Sequence, residues 1–351
     1  MRPNENEPGQ NEDEDISVEY IVKALSKMKN LIIPQNTIQF LKMHGISAKK
    51  RYGQNFLIDP RVLTRILEGA EITKEDTVLE VGPGIGTMTQ ALCEKAGRVI
   101  AVEIDRDMIP ILEENLEGYH NYEIINEDIL KVDLQALSDR IAACNADGGK
   151  GNADGKEKNA DGGSLKRLKV VANLPYYITT PILMGLLESG VPLDSITVMV
   201  QKEVAERMQA KPGGKDYGAL TLAVQYYAET EIIANVPSNC FIPRPGVDSA
   251  VIRLKCYGRE ARPVQPANPE QMFDVIRAAF GQRRKTLVNS LKNDPKLASA
   301  GVSRERIEQA LGKMGLSPDI RGERLSLQDF SVLSSLLFKE NADLPGTNAA
   351  E

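Results

Sequence analysis

Five short runs of aliphatic and β-branched residues, spaced by helix-length segments, constrain this chain more than any other feature. They are Thr77–Val81 (TVLEV), Val99–Ile104 (VIAVEI), Tyr122–Asn126 (YEIIN), Leu168–Ala172 (LKVVA) and Ser195–Gln201 (SITVMVQ). Helical spacing of apolar residues marks Thr87–Lys95, Asp107–Leu116 and Ile182–Glu188 between them. Strands alternating with helices predict a parallel sheet covered on both faces. The expected fold class is therefore α/β, with a Rossmann-like sheet. Ligands of such sheets bind beyond the carboxyl ends of the strands, so the residues that end each run are the first to inspect.

The chain outside that pattern divides by composition. Residues 1–15 are acidic and polar and are expected to be disordered. The spacing from Ile16 to Met28 fits one helical face, and Thr37–His44 a short helix stopped by Gly45. Asn145-Ala-Asp-Gly-Gly-Lys, Asn152-Ala-Asp-Gly-Lys and Asn159-Ala-Asp-Gly-Gly recur every seven residues. That composition cannot bury a core, so 145–163 reads as a flexible surface insertion. Ala228–Val236 and Ser249–Tyr257 read as later strands that pair with each other. Beyond about residue 258 only helices are expected: Gln271–Phe280, Thr286–Leu291, Arg304–Met314 and Leu327–Phe338. The expected domains are an acidic extension (1–36), an α/β domain (37–258), a small all-helical domain (259–340) and a disordered tail (341–351).

Composition narrows the function. No apolar run approaches the roughly 18 residues that span a membrane, and no apolar signal region opens the chain, so a cytoplasmic location is expected. Cys93, Cys144, Cys240 and Cys256 are far apart, and His44 and His120 have no partner at metal-ligand spacing. Neither a disulfide frame, a metal centre nor a Ser-His-Asp triad is expected. The net charge of −6 is carried entirely by residues 1–20, whereas residues 241–325 hold 16 Lys and Arg against 9 Asp and Glu. A basic C-terminal third suits contact with phosphates, or simply a solvated helical face.

The run ends carry the chemistry. Glu80-Val-Gly82-Pro-Gly84-Ile-Gly86 follows the first strong strand and opens a helix. A dinucleotide fingerprint would place its third glycine at position 87, which is Thr87. The G-x-G-x-G pattern with a preceding acid suits S-adenosylmethionine better. Glu103, ending the next run, can accept from ribose hydroxyls, and Asp128 from an adenine amine. Each acid alone is as well read as a solvated strand end. Asn173-Leu174-Pro175-Tyr176 ends the fourth run. Read as a site, the Asn173 side-chain oxygen and the Leu174 carbonyl accept the two N–H groups of an adenine amine. Pro175 restricts the residue before it, and Tyr176 stacks on the flipped base. Read blandly, it is a turn with a buried tyrosine.

Assembled, these residues make the chain resemble the KsgA/RsmA family, the small-subunit rRNA adenine N6,N6-dimethyltransferases. The resemblance runs from about Thr37 to Phe338. Besides the motifs above it includes Gly53-Gln-Asn-Phe-Leu-Ile-Asp59, Gln201-Lys-Glu-Val-Ala-Glu-Arg207, Phe241-Ile-Pro-Arg-Pro-Gly-Val-Asp-Ser249 and Phe280-Gly-Gln-Arg-Arg-Lys-Thr286. It implies a class I S-adenosylmethionine-dependent methyltransferase sheet with a helical RNA-binding domain. The implied substrate is a pair of adjacent adenosines in the 3′-terminal hairpin loop of 16S rRNA, within the small ribosomal subunit or its precursor. The implied cofactor contacts are Asn55, Leu57, Gly82, Gly84, Glu103, Asp128 and Asn173. Candidate phosphate contacts are Lys49, Lys50, Arg51, Lys202, Arg207, Arg244, Arg283, Arg284 and Lys285. A monomer with no membrane partner is expected. A large-subunit rRNA methyltransferase, a DNA adenine methyltransferase and a non-catalytic binding relative remain competing readings. The acidic extension and the glycine-rich insertion depart from the family pattern outside its motifs.

Overall fold

A computed structural model describes residues 34–46, 48–49, 52–147 and 168–339 of the chain. The expected helix at 16–28, Lys50 and Arg51, and residues 148–163 of the insertion lie outside the described residues. Residues 145–147, the start of the first repeat, close a helix that runs Leu134–Asp147.

Nine strands are present among the described residues. They are β1 (Phe56–Leu57), β2 (Thr77–Val81), β3 (Arg98–Val102), β4 (Tyr122–Ile125), β5 (Leu168–Asn173), β6 (Leu193–Gln201), β7 (Ala228–Val236), β8 (Phe241–Ile242) and β9 (Ser249–Cys256). Seven form one sheet in the order β4-β3-β2-β5-β6-β9-β7, and β1 pairs with β8 apart from it. β4 to β6 are parallel, in registers that align Val81 with Val102 and Ala172. Every residue of β2 is buried, as is nearly all of β5. That is the cost of covering both faces of a parallel sheet, and it explains why these runs show no polar alternation. The chain leaves β2 toward β3 and β4, then returns to pair β5 on the other side of β2. Strand order therefore reverses between β2 and β5, which creates a crevice at their carboxyl ends.

The expectation for β3 needs correction at its end. It stops at Val102, not Ile104. The Glu103 N–H still reaches the Ile125 carbonyl at 2.9 Å, but its side chain accepts from the Asp105 N–H at 2.8 Å and turns the chain out of the sheet. Helix Pro60–Gly69 was not anticipated, although its signals are present. Asp59 caps it through the Arg61 N–H, Pro60 opens it, and Val62, Leu63, Ile66 and Leu67 bury one face.

The described residues fall into two compact units. One comprises 34–202 with 231–253, and the other 203–230 with 254–339. Residues 203–230, expected with the α/β domain, thus group with the C-terminal helices. Within that second unit lie helices Ala219–Tyr227, Pro269–Gly281, Leu287–Lys292, Pro295–Ser299, Arg304–Lys313 and Leu327–Phe338. Asn268, Thr286, Asp294, Ser303 and Ser326 cap five of them, each cap contributing about 1 kcal/mol. Its core gathers Tyr217, Phe280 and Phe330, and Tyr226 with Phe273. No helix among the described residues is long and apolar enough to cross a membrane.

Candidate active site

The carboxyl ends of β2, β3 and β5 frame an open cleft in the first unit. Asn55, Leu57, Gly82, Gly84, Glu103, Asn173, Leu174 and Pro175 all line it. Residues as far apart in sequence as Asn55 and Asn173 are brought together there. Asp128 and Tyr176 do not line it. Asp128 lies beyond β4, where its side chain accepts from the Leu130 N–H at 3.1 Å.

The glycine loop leaves room rather than filling it. Gly82 has φ +71, and a Cβ built there would meet no atom within 4 Å. A side chain would be strained at this φ and would stand in space a ligand can use. The Gly84 N–H donates to Glu103 Oε2 at 3.1 Å, while Oε1 takes the Asp105 N–H. Burial pushes the Glu103 carboxyl up, and these backbone donors oppose it. Each oxygen keeps a further acceptor site, which suits a vicinal diol.

Asn173 is the last residue of β5. Its Nδ2 donates to the Asn55 carbonyl at 2.9 Å. With the amide turned that way, Oδ1 is left without a partner among the described residues. The Leu174 N–H donates to the Met199 carbonyl at 3.1 Å, which fixes the peptide, and the Leu174 carbonyl is likewise unpartnered there. The next carbonyl, of Pro175, is occupied by the Ile178 N–H and the Thr179 hydroxyl. Two adjacent acceptors are thus held open beside one that is closed. Tyr176 is half-buried, and its hydroxyl shares a 2.6 Å hydrogen bond with Ser249. Burial pushes its phenol up, so it keeps its proton at neutral pH.

The segment carrying Asn55 is fastened over the cleft at several points. Phe56 and Leu57 pair antiparallel with Ile242 and Phe241. Gly53 has φ +60, and a Cβ there would lie 3.2 Å from the Tyr177 ring. The G-Q-N-F-L motif therefore presses directly on N-L-P-Y-Y. Lys49 Nζ donates to Asp105 at 2.7 Å and also pairs with Asp107, and Gln54 Nε2 donates to Asp105 at 3.1 Å. Lys49 had been a candidate for phosphate. Its partners are instead the acids that follow β3, and they hold its ammonium above the ordinary lysine range through hydrogen bonds. This fastening was not readable from sequence, because Lys49 and Asp105 are 56 residues apart.

The other basic candidates separate by their partners. Arg244 is exposed, with Nε donating to Ser238 at 3.0 Å. Lys202 is exposed and Arg207 half-buried. In the second unit, Arg283 donates to the carbonyls of Lys215 at 2.7 Å and Tyr217 at 3.0 Å, which makes it a brace of that unit. Arg284 and Lys285 beside it are exposed. Among the described residues no group of His, Cys, Asp and Glu could hold a metal ion.

The donor set fits a cationic adenosyl cofactor. Glu103 offers acceptors for ribose, Gly82 offers close backbone approach, and the buried Glu80 carboxyl lines the same cleft with neither oxygen hydrogen-bonded among the described residues. Known proteins agree. Residues 45–311 match the family model described as Ribosomal RNA adenine dimethylase. The Ribosomal RNA small subunit methyltransferase A of Lachnoclostridium phytofermentans is 54% identical over 305 residues, covering 87% of this chain and 96% of that protein. The protein of the same name from Clostridioides difficile is 46% identical over 302 residues, covering 86% and 94%. Among solved structures, a dimethyladenosine transferase from Plasmodium falciparum is similar with a TM-score of 0.58 at 25% identity, over 79% of this chain and 95% of that one. The 23S rRNA methyltransferase ErmE follows with a TM-score of 0.54 at 27% identity, over 80% and 99%.

Proposed function

The chain belongs to the ribosomal RNA adenine dimethylase family, and on that premise we propose which of its residues carry the reaction. The enzyme is an S-adenosylmethionine-dependent dimethyltransferase acting on adenine N6 of 16S rRNA. When bound, the cofactor supplies a methyl group made electrophilic by a cationic sulfur. Glu103 accepts from the ribose hydroxyls and Asp128 from the cofactor's adenine amine. Asn55 and Leu57 close over the cofactor, and the loop at Gly82 and Gly84 admits its methionyl part.

The observation that carries the reading is the hydrogen bond from Asn173 Nδ2 to the Asn55 carbonyl. It commits the amide nitrogen, so Oδ1 is the atom presented to substrate. Oδ1 and the Leu174 carbonyl then each accept one N–H of the target amine. Held so, the amine's lone pair is drawn out of conjugation with the ring and aimed at the methyl group. Tyr176, its hydroxyl fixed by Ser249, stacks on the extruded base. The amine becomes acidic only as the new bond forms, so no strong base is needed before that point. Positioning supplies most of the acceleration.

The target pair is read as two adjacent adenosines in the 3′-terminal hairpin loop, in the small subunit or its precursor, with a role in ribosome biogenesis. The protein is read as a cytoplasmic monomer. Lys50, Arg51, Lys202, Arg207, Arg244, Arg284 and Lys285 are the proposed phosphate contacts, with Arg283 supporting its own unit. The test offers labelled S-adenosylmethionine with undermethylated small subunits, large subunits and duplex DNA, and resolves the nucleosides by mass. Dimethyladenosine from small subunits alone is expected. Label in large subunits or DNA would overturn the substrate assignment.

A further inference from the structure

Among the described residues, the Glu80 carboxyl in the lining of the cleft stands without a hydrogen-bond donor, unlike that of Glu103. It is fully buried, and neither of its oxygens has a hydrogen-bond partner among the described residues. Its place in β2 explains this. Glu80 lies in register with Ala101 on β3 and Val171 on β5, both within the apolar core beneath the helices. The Thr89 hydroxyl is close enough to ease its ionisation but falls short of a hydrogen bond. The charged and titratable groups facing it are Glu103, beyond β3, and the Cys93 thiol on helix Thr87–Lys95. Glu103 repels a second negative charge, and burial keeps Cys93 neutral with its thiol pushed up to about 12. The influences on the ionisation of Glu80 are burial, the Thr89 hydroxyl and Glu103, and none of these is a cation. Glu103, by contrast, has two backbone N–H donors and can be ionised without a ligand.

An unpaired buried carboxylate is too costly to maintain, so such a group holds its proton until a cation arrives. The cofactor brings one: its methionyl end has an ammonium and a sulfonium against one carboxylate. We propose that Glu80 is the charge partner of that end, protonated in the cofactor-free protein and giving its proton to solvent as the cofactor enters. This rests on the reading that the cleft takes S-adenosylmethionine. Only a proton moves. The carboxylic acid becomes a carboxylate, the buffer takes up the proton, and one positive charge of the cofactor is matched. Burial, the larger cause, together with Glu103 pushes the Glu80 carboxyl up to about 8. The exchange therefore falls within the working pH range.

The experiment is titration calorimetry of the full chain with S-adenosylmethionine, in pairs of buffers with different ionisation heats. Glu80→Gln serves as the reference, which cancels titration of the cofactor's own amine. At pH 7 the wild-type protein should release about 0.9 proton more per cofactor than the variant. Between pH 6 and pH 8 its affinity should rise about fifty-fold relative to the variant. If Glu80→Gln fails to give a normal melting transition, the wild-type buffer series decides alone: release of more than about half a proton at pH 7 supports the proposal. Binding with equal proton counts in both proteins, or without release by the wild type, overturns the proposal and leaves the cofactor reading standing. No binding heat at any pH overturns both.

Discussion

Asp105→Asn tests whether the segment carrying Asn55 must be fastened for the cofactor to bind. Asp105 is 2% exposed and accepts from Lys49 Nζ at 2.7 Å and from Gln54 Nε2 at 3.1 Å on its two oxygens. An amide of the same shape retains one acceptor and turns an NH2 group toward the other donor. One bond is lost and the survivor loses its charge, while Lys49 keeps Asp107. Hydrogen bonds to charged groups contribute about 1.5–3 kcal/mol and neutral ones about 0.5–1.5, so the fastening weakens by about 1–3 kcal/mol. Cofactor affinity falls by about that amount, about 5- to 150-fold. Because neither Asp105 nor Lys49 reaches the reacting atoms, kcat at saturating cofactor should stay within about twofold. Lys49→Met breaks the same link from the other side, and the two substitutions should be less than additive in the double variant. Titration calorimetry with S-adenosylmethionine on the four proteins reads both quantities. An Asp105→Asn affinity within twofold of wild type, or strictly additive effects, would refute the reasoning.

Further outcomes follow from other contacts. Tyr176→Phe removes the 2.6 Å bond to Ser249. It should lower kcat/KM for small subunits by about 3- to 10-fold with cofactor affinity unchanged, since a loss of about 1 kcal/mol is expected; weakened cofactor binding would argue against a base-stacking role. Tyr217→Phe strands the Leu325 carbonyl that its buried hydroxyl meets at 2.8 Å, and should cost about 1–3 kcal/mol in a denaturant titration. Arg283→Ala should lower stability because two backbone carbonyls lose their donor. Arg284→Ala with Lys285→Ala should leave stability unchanged and reduce the salt slope of small-subunit binding by about 1–2. The same salt series finding the reverse pattern would exchange those roles.

The sheet and the identity of the cleft were legible in sequence because both rest on local patterns. TVLEV, VIAVEI and LKVVA are apolar along their length, as a doubly covered strand requires, and β2 begins and ends where the pattern placed it. Gly82, Glu103 and Asn173 follow or end successive strands, so the parallel registers alone brought them to one edge. Long-range pairing was not legible. β1 and β8 are two residues each, with no periodicity to read. Lys49 looked like one base in a basic cluster, since nothing near it in sequence announces Asp105. The grouping of 203–230 with the C-terminal helices has the same origin. Tyr217 and Tyr226 belong to an aromatic core whose other members, Phe273, Phe280 and Phe330, lie more than 40 residues further along the chain. Glu80 was visible as the acid of the glycine motif, but that no described residue hydrogen-bonds its carboxyl became apparent only once its neighbours were in place.

The most direct test of how the cleft works is single-turnover methyl transfer to undermethylated small subunits by wild type and Asn173→Ala, with cofactor affinity measured in parallel. The substitution removes the Oδ1 acceptor and the bond to Asn55 together. Loss of one oriented acceptor should slow transfer at least about 100-fold, while cofactor affinity changes by less than about tenfold. Transfer near the wild-type rate from Asn173→Ala would contradict the assignment of Asn173 to the target amine.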